Sequence, residues 1–164
     1  MPIEMKMISP GEDGDFLFQL YASSRQNEVL LWGWSEEMTG QFLKMQYMAQ
    51  LRSYVMQYGD VDTKLIYCDG DRVGRLLLSS DENKLRILDI TIHPEYQNKG
   101  IGTFILKEMM ETACVNQQSV RLSVLNGNPA QRLYERLGFV VVEDGDIYCK
   151  MEWKDSQFEE VTRR

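Results

Sequence analysis

Gln97-Asn98-Lys99-Gly100-Ile101-Gly102 sets two glycines one residue apart beside a lysine, at the point where strand-like residues give way to helical spacing. The first turn of a helix has backbone N–H groups with no intrahelical acceptor, and the helix dipole favours negative charge there. Gly100 and Gly102 lack the Cβ atoms that keep an anion away from the backbone, and Lys99 adds a cation. The segment reads as an anion cradle, and the ligand it suits is a phosphorylated cofactor. It is not a dinucleotide fingerprint, whose third glycine would fall on Ile105, nor a Walker loop, which requires Gly-Lys-Ser/Thr. The plainer alternative, a tight turn with close helix packing, needs only the two glycines, and the letters alone leave both readings open.

Other chemistry-bearing residues are sparse. Cys68, Cys114 and Cys149 are odd in number and widely spaced, and His93 is the single histidine. None of them stands at metal-ligand or redox-motif separation, so the expectation is three reduced, mostly buried thiols and no metal. His93 precedes Pro94 at the end of an apolar run, which gives it a structural place before a catalytic one.

These groups need elements to hold them. Residues 4–8 read as a short strand, and residues 11–25, with Phe16, Leu17, Leu20 and Tyr21 at helical spacing, as an amphipathic helix. After the apolar stretch 29–34, Ser35 can cap a second helix with Glu36 and Glu37 in its first turn. The spacing runs that helix to about Tyr58 and sets Met38, Phe42, Met45, Ala49 and the stem of Arg52 on one side. Residues 64–68 and 72–79 flank Asp69-Gly70-Asp71 as a hairpin, and residues 84–92 form the next strand, ended by Pro94. Helical spacing returns from Lys99 to about Asn116, with Ile101, Phe104, Ile105 and Met109 on one face, and a strand follows over 120–125. Residues 129–137 make a short helix opened by Pro129 and closed by Gly138, and strands over 139–142 and 147–153 complete the pattern. The order predicts an α/β (α+β) fold: one central mixed sheet of about six to seven strands flanked by about four helices.

The chain of 164 residues is the size of one domain, and 43% hydrophobic with 26% charged residues is a globular composition. The longest apolar runs, 29–32 and 139–142, are far short of a membrane span, and the opening residues lack the apolar core of a signal peptide. The expected location is the cytoplasm, with no membrane partner. Eighteen basic against twenty-five acidic residues, a net charge of −7, gives the chain no general reason to approach a phosphate backbone, so nucleic acid is excluded as a partner. A cationic amine would be steered favourably if the acidic residues line its approach.

Residues 88–102, read as Leu88-Asp89-Ile90-Thr91-Ile92-His93-Pro94-Glu95-Tyr96-Gln97-Asn98-Lys99-Gly100-Ile101-Gly102, resemble motif A of the GCN5-related N-acetyltransferase (GNAT) family. That motif has the signature Gln/Arg-x-x-Gly-x-Gly/Ala, which Gln97, Gly100 and Gly102 match in full. Downstream, Asn126-Gly127-Asn128-Pro129-Ala130-Gln131-Arg132-Leu133-Tyr134-Glu135-Arg136-Leu137-Gly138-Phe139 is similar to the family's motif B, and residues 147–153 to its closing strand. The resemblance implies a single acetyltransferase domain over 1–164. In it, 1–60 form the variable helical acceptor side, 61–153 the cofactor-binding half and 154–164 a polar tail.

What the resemblance implies chemically is acetyl transfer from acetyl-CoA to an amine by direct attack on the thioester. Backbone amides of Gln97, Asn98, Lys99, Gly100, Ile101, Gly102 and Thr103 would take the diphosphate. The pantetheine arm would pair like an added strand with the edge Ile90-Thr91-Ile92, one N–H of which would also face the oxyanion. Tyr134 aligns with the tyrosine that protonates the leaving thiolate, a task for a phenol whose reference pKa is near 10. Ala130, Leu133, Tyr134 and Leu137 also form an apolar helical stripe, so packing is the other reading of Tyr134.

Asn128 resembles the family's CoA-contacting asparagine and could equally cap the following helix, and its spacing to Tyr134 leaves Asn126 as an alternative. Histone-type relatives carry a base glutamate where this chain has Arg86, and Ser123 stands at another common base position. Asp89 is the nearest remaining carboxylate, with a structural acceptor as its other reading. Trp32, Gly33, Trp34, Gln41, Gln46 and Tyr54 fall on the acceptor side, although the tryptophans could instead anchor the helix connection. The expected protein is an acyltransferase using acetyl-CoA as co-substrate on a primary amine of a small molecule or peptide, with monomer and homodimer both open. The alternative is a non-catalytic acyl-CoA-binding sensor or partner module of the same fold. The missing base carboxylate favours the latter, and the intact Tyr134 favours the enzyme.

Overall fold

The computed structural model of the protein describes residues 2–8 and 10–155, so most of the expected polar tail, from 156 on, lies outside the described residues. The chain runs β1 (Ile3–Met7), α1 (Pro10–Ser24), α2 (Gln26–Leu30), α3 (Glu36–Tyr58), β2 (Asp62–Cys68), β3 (Asp71–Ser80), β4 (Lys84–Ile92) and a one-turn 3-10 helix (Pro94–Tyr96). It continues through α4 (Ile101–Val115), β5 (Ser119–Leu125), α5 (Ala130–Arg136), β6 (Val140–Asp144) and β7 (Tyr148–Trp153). Among the described residues the strands form one sheet in the order β1-β2-β3-β4-β5-β7-β6. β4 and β5 are parallel, whereas β1–β2, β5–β7 and β6–β7 are antiparallel, so the sheet is mixed as the element order predicts. Two elements are absent from the sequence reading: α2, which takes up part of the apolar stretch before Ser35, and the 3-10 turn after β4. No helix among the described residues is long and apolar enough to cross a membrane.

The chain forms two compact units, Met1–Leu77 with Asp89–Gly102 and Leu78–Leu88 with Thr103–Arg164. In the first, Ser35 caps α3 as its residue type predicts: its hydroxyl accepts from the Met38 N–H at 3.2 Å. Gly59, at φ +78°, ends the helix with its N–H 2.8 Å from the Val55 carbonyl. The stripe of α3 that packs inward is not the one that Met38, Phe42, Met45, Ala49 and Arg52 form. Leu43 is buried and Tyr47 lies 5.8 and 5.4 Å from the rings of Phe18 and Tyr21 on α1. Met38, Met45, Ala49 and Arg52 are exposed. The helix carries two stripes at 3–4 spacing, and periodicity alone cannot say which one meets α1. In the β2–β3 hairpin, Asp69 and Gly70 both have positive φ, 53° and 86°, as a two-residue turn of this handedness requires.

In the second unit, α4 buries Ile105, Leu106, Met109 and Ala113, and Ile101 just ahead of that unit is buried too. Phe104, expected on the same face, is 38% exposed because the buried stripe follows i, i+4, i+8 and i+12 and passes it by. The helix starts at Ile101 and not at Lys99, since Gly100 has φ +82° and cannot belong to it. Gly138, at φ +103°, closes α5, and the Phe139 N–H returns to the Tyr134 carbonyl at 3.0 Å. Phe139 therefore ends a helix, buried, and the strand expected from 139 begins at Val140. Cys68 and Cys149 are buried as expected, but Cys114 is exposed, and a hydrogen bond with Asp155 pushes its thiol up.

Candidate functional site

β4 has two parts. Its ladder with β5 runs from Lys84↔Ser119 to Ile87↔Leu122, and the strand continues through residues 88–92 beyond that register. Leu85 and Ile87 are buried, whereas Asp89, Ile90, Thr91 and Ile92 are all half-buried. This is the stretch that the family resemblance nominates as an edge for an amide-containing ligand.

Past Ile92 the chain is held by its own side chains. His93 caps the 3-10 turn by accepting from the Glu95 N–H on Nδ1 at 3.2 Å, and its own N–H donates to Val73 at 2.7 Å. Gln97 donates from Nε2 to the Ile92 carbonyl at 3.0 Å, bracing the loop against the strand end. Its backbone N–H turns inward to Pro94 at 3.4 Å, which makes Gln97 a brace more than an amide donor. Asn98 and Gly100 both take positive φ, 62° and 82°, and so turn the chain into α4. Ile101 is 1% exposed and anchors the first turn of the helix in the core. Lys99 lies with its ammonium 5.2 Å from the Tyr96 ring centroid.

The two glycines differ in what requires them. Gly100 is needed by its backbone angle. Gly102 has an ordinary helical conformation, and a Cβ built on it would meet no atom within 4 Å. Packing inside the protein therefore does not account for Gly102, which removes the tight-packing explanation at that position and leaves open space at the head of α4, beside Thr103. Amides at a helix start facing such a space suit an anion, and a phosphorylated cofactor fits this donor set.

Sequence reasoning missed two residues that shape the β4 edge. Arg75, on β3, has a side chain only 3% exposed; its Nη2 lies 2.7 Å from Asp89 Oδ2 and 3.4 Å from Gln50 of α3, with the Tyr47 ring at 5.8 Å. The Thr91 hydroxyl donates to the same Asp89 oxygen at 2.6 Å. Asp89 is thus engaged as an acceptor from the fold. The second is Gly74, where a Cβ would stand 2.6 Å from the Thr91 carbonyl oxygen. The legible signal for Arg75 was a lone charge in the apolar run Val73-Gly74-Arg75-Leu76-Leu77-Leu78, which requires a buried partner.

In the other unit, Asn128 is used in the capping manner: its Oδ1 accepts from the Ala130 N–H at 2.9 Å. Asn126 donates from Nδ2 to the Gly145 carbonyl at 2.8 Å. Tyr134 is half-buried on α5, with its ring 6.0 Å from that of Phe139, so it is not sealed into a core as its apolar stripe alone would suggest. Arg86 pairs with Asp81 at 2.9 Å, and the backbone N–H groups of Asn83 and Lys84, together with Arg86, hold the Asp81 carboxyl below its usual range. Ser123 is exposed. On the acceptor side, Trp32 and Trp34 meet the Phe42 ring of α3 edge to face at 5.2 and 5.4 Å, which is the anchoring role, and Gln46 is hydrogen-bonded to Arg25.

Residues 61–141 match the family described as acetyltransferase (GNAT) domain. The chain carries a domain of the GNAT family. Mouse cysteine-rich protein 2-binding protein is 36% identical over 61 residues, a stretch that takes in 37% of this chain and only 8% of that relative's length. Among solved structures, PaiA N-acetyltransferase from Thermoplasma acidophilum in complex with coenzyme A has 23% identity and a TM-score of 0.68, covering 94% of this chain and 100% of that one. N-acetyltransferase PseH from Campylobacter jejuni in complex with acetyl coenzyme A has 16% identity and a TM-score of 0.59, with 94% and 100% covered. At these identities the two structures speak for the fold, which they share over nearly the whole chain.

Proposed function

We propose that this protein is an acetyl-CoA-dependent N-acetyltransferase that acetylates a primary amine of a small molecule or peptide by direct attack. The observation that carries the reading is Gly102, at the start of α4, where a Cβ would meet no described atom within 4 Å beyond its chain neighbours and its own helix backbone. The coenzyme A complexes of the two similar structures support the choice of cofactor.

Acetyl-CoA, when bound, supplies an activated thioester carbonyl for the amine to attack. The amides of residues 98–103 hold its diphosphate, with Lys99 adding positive charge and Gln97 bracing the loop. The half-buried backbone of Ile90, Thr91 and Ile92 is the edge for the pantetheine amides, and an N–H of that edge faces the developing oxyanion. Tyr134 is the phenol that gives its proton to the departing thiolate. Asn128 remains the motif B contact through its amide N–H₂, since Oδ1 serves the start of α5. Asp89, engaged by Arg75 and Thr91, acts as a positioning residue for the β4 edge, and the amine loses its proton to solvent.

A thiol-release assay with acetyl-CoA and polyamine, amino-acid, aminoglycoside and peptide acceptors tests the activity. Acceptor-dependent release supports the enzyme. Release with none of the four classes, while CoA still binds, would favour a non-catalytic acyl-CoA-binding module.

A further inference from the structure

We propose that α3 is the surface through which two copies of this chain associate as an antiparallel helix pair. Met38, Phe42, Met45, Ala49, Arg52 and Met56 follow one another at alternating steps of four and three, the 3.5-residue repeat of a two-helix seam. They lie on the side of α3 opposite Leu43, Tyr47 and Gln50, which face the rest of their unit. Phe42 packs under Trp32 and Trp34, but Met45 is 69% and Met56 88% exposed, and the flanking Met48 and Val55 are exposed as well. Around Ala49 the helix surface dips into an open depression lined by Arg52, Ser53, Met56 and Gln57.

The seam is complementary to itself in one orientation. With two α3 helices antiparallel and their midpoints aligned, Met45 fills the dip at the partner's Ala49, and Met38 meets the partner's Met56. Arg52 then comes over the partner's Phe42, whose neighbour Trp34 is partly exposed, an arrangement suited to cation–π contact. A parallel pair would instead set Arg52 against the partner's Arg52, so charge within the seam selects the antiparallel form. The residues beside the seam, Gln41, Gln46, Met48, Ser53 and Val55, are uncharged, so the net charge of −7 does not concentrate here. A helix of 23 residues is about 35 Å long, and pairing two of them buries on the order of 1,000–1,500 Å², the lower part of the range for stable interfaces.

Sedimentation velocity on the full chain tests this between about 1 and 100 μM, a range that brackets interfaces of this size. The expected species is twice the 19.1 kDa chain, and Met45→Glu with Ala49→Glu raises the dimer dissociation constant at least ~100-fold while leaving the far-ultraviolet circular dichroism unchanged. Orientation is read by oxidation in a Cys114→Ser background: chains with Met38→Cys mixed with chains with Met56→Cys cross-link, and chains with Met38→Cys alone do not. A single 19.1 kDa species throughout, a dimer undiminished by the two glutamates, or cross-linking of Met38→Cys to itself would each overturn the proposal.

Discussion

The Arg75 guanidinium lies 2.7 Å from the Asp89 carboxylate, on a side chain that is 3% exposed, and Thr91 donates to the same oxygen from the strand that carries the candidate cofactor edge. An ion pair so placed fixes β4 to β3 where β4 has run beyond its ladder with β5. Removing one partner leaves a charge in a site built for two. Asp89→Asn is therefore expected to cost about 3 kcal/mol, and Asp89→Leu with Arg75→Met distinctly less, measured by urea unfolding. If Asp89 positions and does not take the amine proton, Asp89→Asn leaves the acid limb of the pH–rate profile where it stands in the wild type. A shift of that limb would return Asp89 to the role of base.

Tyr134→Phe keeps the half-buried ring against Phe139 and deletes only the hydroxyl. The expected outcome is an unchanged fold and acetyl-CoA affinity with turnover lowered about 10- to 1,000-fold, measured where chemistry limits the rate. Full activity would mean that the thiolate takes its proton elsewhere.

Gly74 admits the Thr91 carbonyl to within 2.6 Å of where a Cβ would stand, and that carbonyl belongs to the backbone and cannot swing aside. Gly74→Ala is expected to cost about 1–3 kcal/mol and to weaken CoA binding by displacing the β4 edge. Denaturant unfolding and calorimetry on the same sample check both. Loss of stability with unchanged affinity would separate Gly74 from the cofactor edge.

Burial pushes the Glu152 carboxyl up, but Arg121 at 2.6 Å, together with Lys154 and Ser119, more than offsets this and holds it below the usual carboxylate range. A carboxyl whose folded value lies below its unfolded value of about 4.3 contributes stability above that pH, and loses it as the pH falls through the folded value. Glu152→Gln should therefore lower stability by about 1–3 kcal/mol at neutral pH and flatten the decline below about pH 5. Chemical denaturation at a series of pH values reads both. A parallel decline in the two proteins would remove Glu152 from the acid response.

Much of the local structure around the candidate site was legible because it is set by short-range rules. The glycine loop, the Ser35 cap, the turn at Asp69-Gly70 and the end of α5 at Gly138 are each set by a few adjacent residues, and each stands where its residue types demand. What was not legible depends on partners far away in sequence. The inward side of α3 is decided by Phe18 and Tyr21 on another helix, and the partner of Asp89 is Arg75, 14 residues earlier. Gly74 reads as an ordinary strand glycine until the Thr91 carbonyl is seen against it. Phe104 and Phe139 were misplaced by one step of a helical stripe and one residue of a boundary, the scale at which periodicity loses resolution.

The central claim, that the head of α4 holds the diphosphate of acetyl-CoA, is tested most directly by calorimetric titration of CoA into wild type and Gly102→Asp. Beyond its chain neighbours and its own helix backbone, the added Cβ meets no described atom within 4 Å, so the variant is expected to fold with wild-type circular dichroism. Its carboxylate enters the space assigned to the diphosphate, and affinity is expected to fall at least ~100-fold, with Gly102→Ala in between. CoA binding of equal strength to wild type and to folded Gly102→Asp would contradict the account, because the loop would then be only a turn.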